Sequence, residues 1–381
     1  MKRITRAALA ATAAIALAII PAMSASAAAT QTATITQAWG YQYQTLLNPA
    51  KTIQAVIDYE NGDVYLVDVT TNSVTQVTDS GATFDDPYRG AFTPDGATLY
   101  VGNYGDNTIS IIDVATATVT GTFSVQSDEV TAIGVSPDGS LLITTDDYGS
   151  AFLFDLSNAG AMIGIGAPVS SEINGVYFQS ATQALLVGDD GALFTMNLTD
   201  GTVSLAFGDA TASSYGVCAS PDLSTIYMPD YDNGDVLYVI DAATGDVTDI
   251  DLTSLVTSDG FGLCDVSPDG TILVTDWYNP VVLVVDGATK TAKSAINISG
   301  LTGDVSDPLY ANGVTDGINA ISDCKFIVNG YYGNGAIVDQ CPSLPNTGVD
   351  TVAMTAATAG GLALVALGAL AVVLVRRRAT R

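Results

Sequence analysis

Five short segments set a carboxylate beside an aromatic ring: Asp58-Tyr59-Glu60, Tyr104 with Asp106, Asp147-Tyr148, Asp230-Tyr231-Asp232 and Asp276-Trp277-Tyr278. A planar ring next to an acid can stack on a sugar face while the carboxylate takes its hydroxyls, or can cage a cation. More acids lie between these segments, at Asp79, Asp85, Asp86, Asp128, Glu129, Glu172, Asp209, Asp259, Asp304 and Asp307, and more rings at Tyr88, Tyr215, Phe261 and Tyr310. A structural account competes, in which the rings pack between elements and the acids keep a rim soluble.

Other chemistry is thinner. "DYDNGD" at 230–235 offers Asp230, Asp232 and Asp235 to calcium. It departs from the EF-hand loop, because Gly234 sits where a ligand should be and no Glu closes the loop. The same shape recurs as "DYENGD" at 58–63, which points to a shared hairpin. No cofactor is therefore expected, with calcium the one candidate. Arg89 stands beside Asp85, Asp86 and Tyr88; an ion-pair lock on its own loop is expected over an anion clamp. The chain contains no His. Hydrolysis would need Asp or Glu as general base or a metal-activated water, and no matching constellation appears. The candidate binding residues are then Tyr59, Tyr88, Arg89, Tyr104, Tyr148, Tyr231, Trp277 and Tyr278, with no catalytic set.

Composition narrows the partners. Between residues 30 and 347 only Lys51, Arg89, Lys290, Lys293 and Lys325 are basic, against 39 acids, a net charge of −34. Such a surface repels nucleic acid and anionic lipid and favours cations; a monomer is expected. Four cysteines, at 218, 264, 324 and 341, suggest two disulfides in an exported chain, and three pairings are open. Without CxxC spacing or His, a zinc site is not expected.

The elements that would carry these residues repeat. A turn recurs as "TPDG" at 93–96, "SPDG" at 136–139, "SPDL" at 220–223 and "SPDG" at 267–270, with degenerate copies "QSAT" at 179–182 and "VTDG" at 314–317. An apolar strand also recurs, ending at Asp68, Asp113, Asp155, Asn197, Asp241, Asp286 and Asp339, with gaps of 45, 42, 42, 44, 45 and 53. A period in the low forties built of short strands reads as an all-β propeller with four-stranded blades. "YENGD" and "YDNGD" supply hairpins between the second and third strands. No fourth strand follows Asp339, while "TATITQAWG" at 32–40 is a strand without a unit. If it fills that gap, the ring closes as seven blades with no open edge; six blades and a tail is the alternative. On this count Cys218 and Cys264 fall near equivalent inner strands of adjacent units and Cys324 and Cys341 within one unit, which favours 218–264 and 324–341. In a propeller, fourth-to-first loops and second-to-third hairpins share one face, and the acid–aromatic pairs all belong there.

The ends are addresses rather than fold. Lys2, Arg3 and Arg6 precede an apolar stretch, Pro21 and small residues, the pattern of a secretory signal peptide over 1–29. Thr351–Val375 is an uncharged run long enough to span a bilayer, and Arg376, Arg377, Arg378 and Arg381 follow as a cytoplasmic tail. Before it stand Leu344, Pro345, Asn346, Thr347 and Gly348, with Pro345 keeping the segment extended.

Pentapeptide, span and basic stop together resemble the LPXTG cell-wall sorting signal of Gram-positive surface proteins. That resemblance implies a membrane-bound sortase whose cysteine thiolate takes the Thr347 carbonyl and releases Gly348 onward. An amine of the peptidoglycan precursor then resolves the acyl-enzyme. The product is a secreted protein covalently joined to the wall, its precursor transiently in the plasma membrane. "LYVGNYGDNTISIIDVATATVTGTFSV" at 99–125 is similar to the YVTN-type β-propeller repeat, loosely extending over 30–340. This implies a fold and not a chemistry. Three functions follow as expectations: a wall-tethered module binding glycan, peptide or cation, a structural coat, or a lactonase-like hydrolase.

Overall fold

Strand-forming runs such as "TILVTD" at 271–276 are apolar on both faces, so a sheet built of them must be covered twice. The computed structural model describes residues 30–340 apart from 38, 79–83, 126–128, 168, 170–171, 209–212, 233, 299–300, 302–314 and 331–332. Among the described residues, seven four-stranded antiparallel sheets follow one another along the chain. Their inner strands are Gln42–Leu47, Pro87–Phe92, Val130–Val135, Ile173–Phe178, Cys218–Ala219, Phe261–Val266 and Thr315–Ser322, which open blades 1 to 7. The third strands end at Asp68, Asp113, Asp155, Asn197, Asp241, Asp286 and Asp339, as the repeat predicts.

The core is not one cluster but a layer between each pair of neighbouring blades. In blade 6, Ile272 and Val274 pack against Tyr227 and Val239 of blade 5. Leu273, between them, points the other way and joins Phe326 and Val328 of blade 7. Period-2 alternation thus sends one strand's side chains into two interfaces. Ring closure follows from the same need. The N-terminal strand Thr30–Ile35 pairs antiparallel with Gly335–Asp339, from Thr30 opposite Asp339 to Ile35 opposite Gly335. Ile35 and Ile337 then join Val56 and Val67 of blade 1 in the last layer. The count is seven, and the six-bladed alternative is set aside.

The repeat reading fails in one local place. "VTDG" at 314–317 is not a turn: residues 315–317 begin the inner strand Thr315–Ser322, and blade 7 turns instead between Ser322 and Lys325. Gly317 is needed there because a Cβ would lie 2.5 Å from Thr45 Cγ2 of blade 1. "YENGD" does form the expected hairpin between the second and third strands: Asp58 pairs with Asp63 across four residues, with Gly62 at φ +67°.

Cys218 and Cys264 form a disulfide with Cα atoms 5.7 Å apart, stapling the two-residue inner strand of blade 5 to blade 6. A cross-link over a separation of 46 residues restricts the unfolded chain by about 4 kcal/mol in the chain-entropy account. Cys324 is also disulfide-bonded. Cys341, its expected partner, lies outside the described residues, as do the signal peptide, the LPNTG motif, the apolar run 351–375, the basic tail, Asp79, Asp128, Asp209, Asp304, Asp307 and Tyr310.

Candidate ligand-binding mouth

Every inner strand but that of blade 5 carries a register shift near its start, and in blades 1 to 4 one residue is left without a cross-strand partner: Tyr43, Tyr88, Thr131 and Asn174. A bulge of this kind re-aims a side chain. In blades 1 and 2 it delivers a tyrosine to the face where the second-to-third hairpins emerge. Tyr43 and Tyr88 have centroids 4.0 Å apart, and Tyr88 stacks on Tyr104 at 5.3 Å. Tyr59 stands edge-on to Tyr43 at 5.0 Å, and Tyr41 lies 4.3 Å from Tyr43.

Blades 5 and 6 supply a second group. Tyr231 meets Tyr215 at 4.5 Å and Trp277 at 5.3 Å, both edge-on. Tyr41 and Trp277, 6.5 Å apart, join the two groups into one arc. Trp277 is seated on the backbone of Gly262, where a Cβ would strike the indole nitrogen. Of the eight expected binding residues the structure gathers Tyr59, Tyr88, Tyr104, Tyr231 and Trp277 in this arc. Tyr148 is instead 67% exposed, and Tyr278 packs near Gly260. Tyr41 and Tyr43 were not singled out by sequence, although the alternation in "YQYQ" at 41–44 was a usable signal.

Blades 3 and 4 bring acids where blades 5, 6, 1 and 2 bring rings. Tyr104 donates to Asp147 at 3.0 Å. Burial, then a hydrogen bond shared with Glu129, pushes Asp147 up to about 6. Glu129 goes down, held by that same bond and by Tyr104. Glu172 is pushed up to about 7, mostly by burial and then by Asp147 and Asp189, with Arg89 opposing. Tyr88 and Tyr215 both lie within electrostatic reach of the Glu172 carboxylate, which puts that acid near both groups of rings.

Several acids read as ligand-facing turn out to hold turns. Asp58 is fully buried and accepts from Gly40 N at 2.8 Å, Asn61 N at 3.1 Å and Asn61 Nδ2 at 2.9 Å. Asp276 accepts from Tyr278 N, Asn279 N, Asn279 Nδ2 and Ser258 Oγ. Asp230, only 3% exposed, accepts from Asp232 N at 3.2 Å. The equivalent position in three blades is thus a structural carboxylate at the end of the second strand. Asp230 is engaged by its own hairpin, and among the described residues no group of three His, Cys, Asp or Glu side chains is placed to hold a metal ion.

Arg89 also differs from expectation. No ion pair joins it to Asp85 or Asp86. Its Nη1 donates to Tyr43 O at 2.6 Å and its Nη2 to Tyr215 O at 3.4 Å, reaching from blade 2 to blades 1 and 5. Its guanidinium carbon sits 5.3 Å from the Tyr88 ring centroid, a cation–π contact.

Residues 341–380 match the LPXTG cell wall anchor motif, which implies sortase processing and covalent attachment to peptidoglycan. Residues 117–155 match the WD domain, G-beta repeat. That span runs from the outer strand of blade 2 to the third strand of blade 3. No curated protein matches the chain. Among solved structures, the crystal structure of the WD40 β-propeller domain of Doa1 is similar, with a TM-score of 0.63 over 83% of this chain and 98% of that one. At 13% identity the likeness is one of fold alone.

Proposed function

We propose that this secreted seven-bladed propeller, attached covalently to a Gram-positive cell wall by its LPXTG anchor, is a binding module whose mouth takes a cationic group. The ligand is an amine or guanidinium carried by a glycan or a peptide. One observation carries this reading: an arc of tyrosines and Trp277 across blades 5, 6, 1 and 2 faces Glu129, Asp147 and Glu172 on blades 3 and 4. Ring faces attract a cation through their quadrupole, and the carboxylates supply the countercharge. The net charge of −34 between residues 30 and 347 raises the local concentration of such ligands.

The test is an array of peptidoglycan fragments, amino sugars and basic peptides, each with and without chelator. Chelator-insensitive binding of the amine-bearing members is expected, with binding lost in both Trp277→Ala and Tyr231→Ala. A blank array would refute the proposal and leave a coat function in its place.

A further inference from the structure

The third strand of blade 4, Leu193–Asn197, departs from its six counterparts at two positions. It ends on Asn197 where the others end on Asp. Two residues earlier it has Thr195, where they have Leu66, Ile111, Leu153, Val239, Val284 and Ile337. The blade itself requires neither change. The end residue has a structural duty, which is to accept a turn N–H. Asp241 accepts from Ala243 N and Thr244 N, each at 2.9 Å, and Asp286 from Thr289 N at 2.8 Å. Asn197 does the same through Oδ1, from Thr199 N at 2.8 Å. An amide there keeps the turn, removes a charge and adds a donor, Nδ2, which finds no partner among the described residues.

Thr195 stands in a core position. Leu66, Leu153, Val239, Val284 and Ile337 are all buried between blades. Thr195 is only half-buried, its hydroxyl 3.0 Å from Ser204 Oγ on the fourth strand. On the same sheet face, Leu185, Val187 and Leu193 pack with Ile226 and Ile240 of blade 5. Blade 5 thus covers the half of the face nearer the mouth. At the other half lies an open depression of about 510 Å³, and every residue lining it is a Thr, Ser, Asn or Gln of blade 4. Gln183, Asn197, Thr199 and Thr202 stand exposed around it, so their polar atoms can be reached.

The lining selects by chemistry. Hydroxyls and amides both donate and accept, and each threonine adds a methyl group, a match for a ring that alternates hydroxyls with C–H edges. An apolar ligand has nothing to bury against. An anionic polymer is repelled by the surrounding charge of −34, and a cation gains more beside the acids of the mouth. The volume falls within the range of about 300–1,000 Å³ usual for small-ligand sites.

We propose that this depression is a second ligand site, which takes a neutral oligosaccharide through Asn197 Nδ2, the Gln183 amide and the Thr195 and Ser204 hydroxyls. It opens beside the first-to-second and third-to-fourth turns, on the face away from the mouth, and does not depend on what the mouth binds.

Ligand-observed NMR titration of the secreted protein tests this, with neutral tetramers of N-acetylglucosamine and of hexoses up to about 10 mM. At least one should bind. The acetylated sugar would point to the wall's own glycan, a hexose alone to a polymer from outside it. Thr195→Val and Asn197→Asp should each weaken binding at least tenfold. Both introduce a residue type with which the sister blades fold, so an undiminished melting temperature separates lost binding from lost structure. Trp277→Ala should keep the neutral sugar while losing any ligand of the mouth. The de-N-acetylated tetramer, which carries ammonium groups, reports on the mouth and should be indifferent to Thr195→Val. No binding by any neutral tetramer, or unchanged binding in either groove variant, would overturn the proposal. Loss of the neutral sugar in Trp277→Ala would also overturn it, by placing that ligand in the mouth.

Discussion

The two faces of the ring use the same residue in opposite ways. On the face of the first-to-second turns, Asp138 takes hydrogen bonds from Ser136 Oγ at 2.6 Å, Ser140 N at 3.0 Å and Ser140 Oγ at 2.8 Å. Those bonds hold it down at about 2, and Asp222 repeats the pattern in blade 5 with the same result. Thr93 and Asp95 do likewise in blade 2. On the mouth face Asp58, Asp147, Glu172, Asp189 and Asp276 all move up, with burial as the first cause in each. Solvated acids with several donors cost the fold little. Burial of Asp58 and Asp276 is offset by the donors of their own turns, whereas Asp147, Glu172 and Asp189, pressed near one another, raise the fold's energy, and such a concentration is characteristic of a working surface.

Four perturbations grade that contrast. The largest effect belongs to Asp276→Ala, which strips two backbone N–H groups, Asn279 and Ser258 of a buried acceptor. About 3 kcal/mol of stability should go, read as a lower denaturant midpoint; an unchanged midpoint would show that the mouth-face acids are not built in. Next, Gly262→Val should displace Trp277 from its seat and weaken mouth ligands at least tenfold, about 1.4 kcal/mol. Since Trp39 is 2% exposed, a change in quenching by added iodide would report Trp277 alone.

The third perturbation is pH. Between its ordinary 4.5 and about 7, folded Glu172 keeps a proton that the unfolded chain has released, and Asp147 does so between 3.8 and about 6. Stability from these groups therefore falls as pH rises through that window. Asp138 and Asp222 contribute in the other sense: their stabilisation is present above the ordinary 3.8 and lost as pH falls through about 2. The unfolding midpoint should be higher at pH 5 than at pH 7.5, and Glu172→Gln should flatten the difference by about 1 kcal/mol after solvent screening. A midpoint that rises from pH 5 to 7.5 would contradict the assignment. Smallest is Asp138→Ala, on the opposite face, which should lower the melting temperature by about 2 °C or less and leave every ligand untouched.

What was legible in the sequence was what each blade specifies alone. The third-strand ends, the spare N-terminal strand and the 218–264 disulfide all follow from period and spacing, because turns and alternation are local. Rings in the second-to-third hairpins, such as Tyr59, Tyr104, Tyr231 and Trp277, were legible for the same reason. Tyr88 was expected at the mouth as the opening of an inner strand and Tyr43 was not; both are delivered there by bulges, which local alternation does not show. Arg89 was misread because its partners are carbonyls of Tyr43 and Tyr215, 46 and 126 residues away in the chain. Asp58, Asp230 and Asp276 were misread for the converse reason: an acid beside a ring looks available until its turn is seen to occupy it.

The clasp between the first and last strands also decides how the ring bears tension. The wall anchor, over residues 341–380, continues the chain just beyond the strand Gly335–Asp339. That strand is an inner member of its sheet, bonded to Lys325–Gly330 on one side and to Thr30–Ile35 on the other. A load along it must shear two hydrogen-bonded ladders together instead of peeling one. Drag on the propeller is therefore resisted where the blade is doubly held, and a shortened N-terminus would turn the same pull into an unzipping.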